Sequence, residues 1–234
     1  MGTCSNIVKY GKTILKNAEY KSISPKNWDW QKIVWPFRVL IHPVQAFTEI
    51  KYEKRGSVGL SFIVLLLWFF SKIFQYLETG FIFNLNEASE LDSFMQFMST
   101  DMVIVLLAIS NWAICTLMDG EGWFKDIWIT FSYSVMPQVV TMIPVAIVTN
   151  FLTVEEKAFV SLISTVTFIW MLLLVFIANT TVHQYSIKKS IGAMVLTVLG
   201  VLILLMIFVL IVSLFMQVFD FVGQLYKEIK LRVM

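Results

Sequence analysis

Five long stretches without charge constrain what this chain can fold into. They enclose 22, 17, 28, 25 and 30 residues, and the first is interrupted only by Lys72. The ionisable residues that bound them are, in order, Arg55 and Glu78, Asp101 and Asp119, Asp126 and Glu155, Lys157 and His183, and Lys189 and Asp220. A helix needs about 20 residues to cross the hydrocarbon core, where its backbone groups must bond within the segment. Each stretch therefore predicts one transmembrane helix.

Composition points the same way, because 58% of the residues are hydrophobic and only 15% are charged, whereas soluble domains carry about 25% charged residues. The sequence predicts an all-α integral membrane protein with five transmembrane helices, at about 57–78, 102–118, 127–150, 159–182 and 190–216. These lie in a membrane domain over residues 56–219. A cytosolic N-terminal region with an interfacial helix is expected over 1–55, and an amphipathic C-terminal extension over 220–234.

The basic residues predict the orientation. Ten lysines and arginines precede Gly56, whereas the loop 83–101 has none and carries four carboxylates. Basic residues accumulate on the cytoplasmic side of membrane proteins. We therefore expect a cytoplasmic N-terminus, with the loops 119–126 and 183–189 on the same side.

The C-terminal tail conflicts with this count, because five spans place Lys227, Lys230 and Arg232 on the outer side. A second crossing or a re-entrant hairpin within the third stretch, which contains Pro137 and Pro144, would remove the conflict. Since 28 residues cannot supply two full spans, one long kinked helix is the favoured interpretation.

Two segments outside the spans have amphipathic patterns. Before the first span, Trp28, Trp30 and Trp35 precede a helix in which Val44, Phe47 and Ile50 recur at a spacing of three. This helix either lies on the inner membrane surface or packs on the other inner loops. In the tail, an apolar stripe continues the last span, either as an interfacial extension or as a contact for a partner. Its members are Val218, Val222, Leu225, Ile229 and Val233.

The polar loop "MDGEGWFKDIW" is the first candidate for chemistry. Its carboxylates Asp119, Glu121 and Asp126 could bind a divalent cation, but their spacing does not match a calcium loop. Gly120 and Gly122 more simply allow a tight turn between helices. We therefore expect a turn with a partner contact and no metal.

Catalytic signatures are missing from the sequence. His42 and His183 are its two histidines and fit no zinc pattern, and no P-loop, GxSxG or dinucleotide motif occurs. Cys4 and Cys115 are too far apart to suggest a metal or disulfide pattern, and Cys115 is expected to serve packing. We expect no enzymatic activity, no cofactor and no nucleic-acid partner.

A transport pathway has few candidate residues. Lys72 is the one ionisable group within a predicted span, and it lies close enough to the outer end for its ammonium to reach water. Asn111, Gln138 and Asn179 are the remaining intramembrane polar candidates. They serve equally well as hydrogen-bond partners between helices.

Three stretches carry a family resemblance: "HPVQAFTEIKYEKRGS", "MDGEGWFKDIWITFSYSVMP" and "VHQYSIKKSIG". Together they resemble the bacterial branch of the Yip (Ypt-interacting protein) domain family, over about residues 36–215. The matching positions are His42, Pro43, Gly56, Asp119, Gly120, Glu121, Gly122, Phe124, Asp126, Pro137, His183, Tyr185 and Lys188. The basic tail after Asp220 departs from the family pattern.

The resemblance implies a five-span membrane domain with a cytosolic N-terminus and without enzymatic activity. Eukaryotic members resemble adaptors that bind Rab-type GTPases in vesicle traffic. Bacterial relatives with this loop pattern look like companions of carbohydrate ABC transport systems. By this resemblance we expect an accessory subunit in the bacterial cytoplasmic membrane, in contact with lipid and with the permeases of such an importer.

The segments 42–56, 119–126 and 183–189 form a hypothetical docking face. Its candidate residues are His42, Asp119, Glu121, Trp123, Phe124, Asp126, Trp128, His183, Tyr185 and Lys188. Carboxylates beside aromatic side chains suit a basic partner, because aromatic residues dominate interface hot spots. Two alternatives stay open: a stand-alone small channel or carrier, and a membrane-shaping or trafficking-type adaptor.

Overall fold

A computed structural model describes residues 30–80, 83 and 93–233, with side chains at 34–80, 83, 94 and 96–224. Trp28 and most of the basic N-terminus lie outside the described residues. So do Glu87, Glu90 and Asp92 of the acidic loop, and the side chains of the tail stripe from Leu225 onward.

Helices account for nearly all of the described residues, which contain no strand. They are α1 (Trp30–Ile41), α2 (Pro43–Glu53), α3 (Val58–Glu78), α4 (Ser93–Leu117), α5 (Phe124–Ser134), α6 (Met136–Thr149), α7 (Lys157–His183) and α8 (Ile187–Val233). A short 3-10 helix, Val154–Glu156, precedes α7. Five segments are long and apolar enough to cross a membrane: Val58–Glu78, Gln96–Leu117, Phe124–Thr149, Val154–His183 and Ile187–Gln224. The predicted all-α, five-span fold class is confirmed, and the chain is a multi-pass membrane protein.

The third span consists of two helices, because α5 ends at Ser134 and α6 begins at Met136. Pro137 lies in the first turn of α6. A proline inside a helix lacks an N–H donor and clashes with the carbonyl four residues earlier, so the hydrogen-bond ladder stops just before it. Together α5 and α6 form one candidate span, Phe124–Thr149. This arrangement agrees with one broken helix rather than with two crossings.

The core surrounds α5. Every residue from Asp126 to Ser134 is buried, and Phe131 and Tyr133 are at most 1% exposed. The helices α3, α4 and α7 pack around α5.

The helix α2 packs on the bundle instead of lying apart from it. Its Phe47 and Ile50 side chains are 0% and 1% exposed, and the helix contacts α5 and α7. These contacts agree with the packing alternative for α2, and its place on the membrane surface stays a prediction. In the preceding helix, α1, the side chains of Val34, Phe37 and Ile41 are exposed and form an apolar stripe. The bundle end that carries α2 and the loops 118–123 and 184–186 is called the α2 end below.

The last helix, α8, lies on the outside of the bundle. Ser190, Ala193 and Thr197 are its buried residues, and they face α4 and α7. From residue 205 to residue 224 every side chain is exposed. The helix has 47 residues and is therefore about 70 Å long, more than twice the roughly 30 Å of a hydrocarbon core. It includes most of the tail.

Candidate functional site

The loop 118–123 turns sharply after α4 and rests on the end of α7. Asp119 adopts a left-handed conformation with φ 56°, and the Gly120 N–H donates to the Cys115 carbonyl over 2.7 Å. Such a bond satisfies a carbonyl at the helix C-terminus. A Cβ atom on Gly120 would lie 2.5 Å from His183 Nδ1, and one on Gly122 would lie 2.7 Å from Val182 Cγ1. These glycines are needed because the contact leaves no room for a side chain.

The tip of this loop is exposed. The Trp123 side chain is 76% exposed, and the Glu121 side chain is 68% exposed. Asp119 and Phe124 are exposed beside them in the sequence. These four residues, Asp119, Glu121, Trp123 and Phe124, are called the acidic-aromatic patch below. Two further predicted docking residues are exposed on other elements of the α2 end: His42 before α2 and Lys188 in the first turn of α8.

Two ion pairs connect the loop and α5 to α2. Lys51 Nζ lies 3.4 Å from Glu121 Oε2, and Lys54 Nζ lies 2.8 Å from Asp126 Oδ2. The Asp126 carboxylate is buried, and it lies in the first turn of α5, where a helix dipole favours negative charge. Burial lowers the pKa of Lys51, an effect that Glu121 and Asp126 oppose. The sequence analysis did not nominate either lysine, because the pairs join residues about seventy positions apart.

Tyr185 and His183 lie beneath the loop and not on its surface. The Tyr185 hydroxyl lies 3.1 Å from the Cys115 carbonyl oxygen and 3.2 Å from that of Met118, so it caps the end of α4. The Tyr185 ring stacks on His183 with 5.4 Å between centroids, and Lys189 Nζ lies 4.5 Å from the ring centre. Burial raises the pKa of Tyr185 above its usual 10.0, which keeps the hydroxyl a neutral donor.

A buried polar network extends from His183 into the bundle. His183 Nε2 lies 3.0 Å from Asn111 Oδ1, while Asn111 Nδ2 donates to Asn179 Oδ1 over 2.9 Å and to Thr197 Oγ1 over 3.1 Å. Asn179 Nδ2 donates to Ser190 Oγ over 2.8 Å. Because Asn111 Oδ1 can only accept, His183 Nε2 carries the proton. The amides of Asn111 and Asn179 thus hydrogen-bond across α4, α7 and α8.

The predicted docking residues therefore divide into two groups. Those of the acidic-aromatic patch, with His42 and Lys188, are exposed, whereas four others are buried: Asp126, Trp128, His183 and Tyr185. Trp128 contacts Phe62, with 5.2 Å between ring centroids. Within the buried group, His183 and Tyr185 contact the loop, and only the exposed group can meet a partner.

Lys72 and Gln138 lie elsewhere, in the walls of a cavity between α3, α6 and α7. Gln138 Oε1 accepts a 3.0 Å hydrogen bond from Trp68 Nε1. The sequence analysis missed Asp101, which it placed outside the second span. The structure includes Asp101 in α4, within the candidate span Gln96–Leu117, and buries it at 4% exposure. Nothing in its sequence surroundings marks it as buried.

In the described part of the chain, no cluster of three or more His, Cys, Asp or Glu side chains could hold a metal ion. Glu121 and Asp126 instead each form an ion pair with a lysine. That the protein needs no cofactor stays a prediction.

Comparison with known proteins gives one match. A family model of the Yip1 domain matches residues 37–219. No curated protein matches the chain, and no solved structure does. The matched region contains every candidate site residue from His42 to Lys188.

Proposed function

This chain belongs to the Yip1 domain family, and from that premise we propose that it is a non-catalytic accessory or scaffold subunit of a membrane protein complex. The acidic-aromatic patch is its docking surface. The partner is another integral membrane protein with basic residues at the same depth.

One observation carries this proposal. The acidic-aromatic patch is exposed, whereas the loop that bears it is held in place by the residues beneath it. Trp123 is 76% exposed although it immediately precedes α5, the most buried helix of the bundle. The loop beneath it is held by Gly120, Tyr185 and the Lys51–Glu121 ion pair. A loop that is already held in place loses little conformational entropy on binding, and aromatic side chains dominate interface hot spots, so Trp123 suits the role of an interface anchor.

Charge supports a protein partner over a lipid surface. A tryptophan at this position could also anchor the chain in the membrane interface. The carboxylates of Asp119 and Glu121, both exposed, would be repelled by anionic lipid headgroups and attracted by lysine or arginine side chains of a partner.

The proposal also covers the location of the protein and the identity of its partner. The protein lies in the bacterial cytoplasmic membrane with its N-terminus and α2 end in the cytoplasm, and its partners are the permeases of a carbohydrate ABC importer. The distribution of basic residues supports the orientation. The resemblance of the three loop stretches to the bacterial branch of the family supports the bacterial source and the importer permeases as partners.

Two alternatives have an observation in their favour. The cavity beside Lys72 and Gln138 favours a stand-alone channel or carrier. The exposed apolar stripe of Val34, Phe37 and Ile41 on α1 favours a membrane-shaping adaptor. Neither alternative explains why the loop that bears the acidic-aromatic patch is held in place by the residues beneath it.

The first test compares Trp123→Ala, Glu121→Lys and Phe151→Ala in pull-downs from the native host in mild detergent, followed by mass spectrometry. Phe151 is the matched control, because it is 82% exposed and lies at the opposite end of the bundle. Both patch variants should lose the co-purified permease or nucleotide-hydrolysing subunit, with affinity reduced about 30-fold for a hot-spot residue. The control should retain it.

Two results would contradict the proposal. One is recovery of the unmodified protein only as a monomer or homo-oligomer. The other is equal recovery of the partner with all three variants, which would place the contact away from the patch. Thermal unfolding of each variant separates lost binding from lost folding.

A further inference from the structure

A cavity of about 230 Å³ lies between α3, α6 and α7, away from the α2 end. One water needs only about 10–15 Å³ of such space, so the cavity can hold a small ligand group. Its polar wall consists of Lys72, Gln75, Gln138, Thr141, Ser164 and Thr167. Lys72 precedes Glu78, the last residue of α3, by six positions, which corresponds to about 9 Å along the helix. The cavity therefore lies within the membrane-spanning part of the bundle.

Lys72 brings a positive charge to this cavity, and the described residues supply no negative charge to match it. No carboxylate of the described residues lines the cavity or forms an ion pair with Lys72. A charged side chain at membrane depth is costly, so such groups normally face a cavity and pair with an opposite charge. The structure provides the cavity, and a ligand can provide the charge.

The hydrogen-bonding groups of the wall specify the ligand further. Gln138 Oε1 is occupied by Trp68 Nε1, and the described residues give the Gln138 amide nitrogen no acceptor. The hydroxyls of Thr141 and Thr167 donate to carbonyls of their own helices, each over 2.8 Å. Among the described residues, the wall donors without a partner are therefore the Lys72 ammonium, the amides of Gln75 and Gln138, and the Ser164 hydroxyl. A ligand that matches them has a negative charge and several acceptor oxygens.

We propose that this cavity binds an oxyanion of the phosphate class, with Lys72 as its ion-pair partner and Gln138 as a hydrogen-bond donor. The phosphate belongs either to the headgroup of an anionic lipid or to a small ion that enters from water. This site is separate from the acidic-aromatic patch, so either proposal can fail without the other.

The experiment measures thermal unfolding of the purified full-length protein in neutral detergent. In the lipid arm, phosphatidylglycerol is compared with phosphatidylcholine. In the ion arm, inorganic phosphate is compared with chloride at equal ionic strength. A ligand that binds only the folded protein raises its unfolding temperature. Stabilisation in the lipid arm alone identifies a headgroup, and stabilisation by phosphate alone identifies a free ion.

Three variants make the test specific. Lys72→Met removes the charge at similar volume and should lower the affinity for the stabilising anion roughly tenfold or more, because a hydrogen bond to a charged group is worth about that factor. Gln138→Glu keeps an oxygen for Trp68 and adds a carboxylate to the wall, so it should abolish the stabilisation while the protein stays folded. Lys125→Met is the matched control, an exposed lysine at the α2 end, and should behave like the unmodified protein.

The proposal is overturned if neither anion stabilises the unmodified protein. It is also overturned if Lys72→Met and Gln138→Glu respond to the anion as strongly as Lys125→Met does. Because Gln138→Glu supplies the negative charge itself, it remains informative if Lys72→Met does not fold.

Discussion

Single residues decide how closely the 118–123 loop approaches α7. Gly120 and Gly122 both face the end of that helix at distances that exclude a Cβ atom. On the other side of the contact, His183 Nδ1 is buried and has no hydrogen-bond partner among the described residues. The position of the loop thus depends on the lack of a side chain at Gly120 and Gly122 as much as on the polar contacts of its other residues.

Gly120→Ala should destabilise the protein by about 1–3 kcal/mol, because the added methyl group would lie 2.5 Å from His183 Nδ1 and 2.7 Å from the Tyr185 hydroxyl. Thermal unfolding in detergent measures the change. Gly192→Ala is the control, since nothing lies within 4 Å of the position its Cβ would take. An alanine in that helical position should be neutral or stabilising by up to about 1 kcal/mol. Equal stability of the two variants would disprove the close contact.

Whole elements are joined by the polar network at the α2 end. Asn111 on α4 hydrogen-bonds to Asn179 on α7 and to Thr197 on α8. Ser110 adds a 2.7 Å bond from its hydroxyl to the backbone carbonyl of Thr197. These bonds add to the packing of α8 against α4, which is the most extensive contact between two helices of the described bundle.

Asn111→Leu should destabilise the protein by about 1–2 kcal/mol, because His183 Nε2 and the Asn179 and Thr197 side chains would lose their common partner. Unfolding by a graded increase of denaturing detergent measures the difference. Gln217→Leu serves as the control: it replaces an exposed amide on α8 and should change stability by less than about 0.5 kcal/mol. A neutral Asn111→Leu would mean that packing alone holds α8.

At the scale of the whole molecule, the described residues contain five candidate spans, an odd number. An odd number places the two ends of the membrane domain on opposite sides of the bilayer. The continuous helix α8 agrees with this arrangement, because Lys188 and Arg232 lie near its two ends. We therefore expect the three basic residues of the tail on the side opposite the α2 end.

We expect cysteines introduced by Thr153→Cys and Arg232→Cys to react with a membrane-impermeant thiol reagent added to intact cells. A cysteine introduced by Lys188→Cys should react only after the membrane is opened. The Cys4→Ser change removes the second native thiol, and the other, Cys115, is buried. Labelling of positions 188 and 232 from the same side would contradict five crossings. Labelling of position 188 alone in intact cells would reverse the proposed orientation.

Local properties of the sequence are sufficient for the helices. Uncharged runs predict the five spans because a helix bonds its own backbone and needs only apolar side chains to enter a membrane. The break before Pro137 is predictable for a similar reason, since the missing donor and the ring clash act within one helical turn. The need for Gly120 and Gly122 is not local, because neither has a positive φ and both are required by their contact with the end of α7.

The candidate site depended on contacts that no local pattern contains. The sequence presented His183 and Tyr185 as loop residues, whereas packing of α4 against α7 buries them beneath Gly120. The pairing of Lys51 with Glu121 and the opening of a cavity beside Lys72 likewise join residues far apart in the chain. Whether a polar side chain is buried or exposed at a helix end depends on which neighbouring helices cover it. That arrangement is a property of the packed bundle, so only the tertiary structure could decide it.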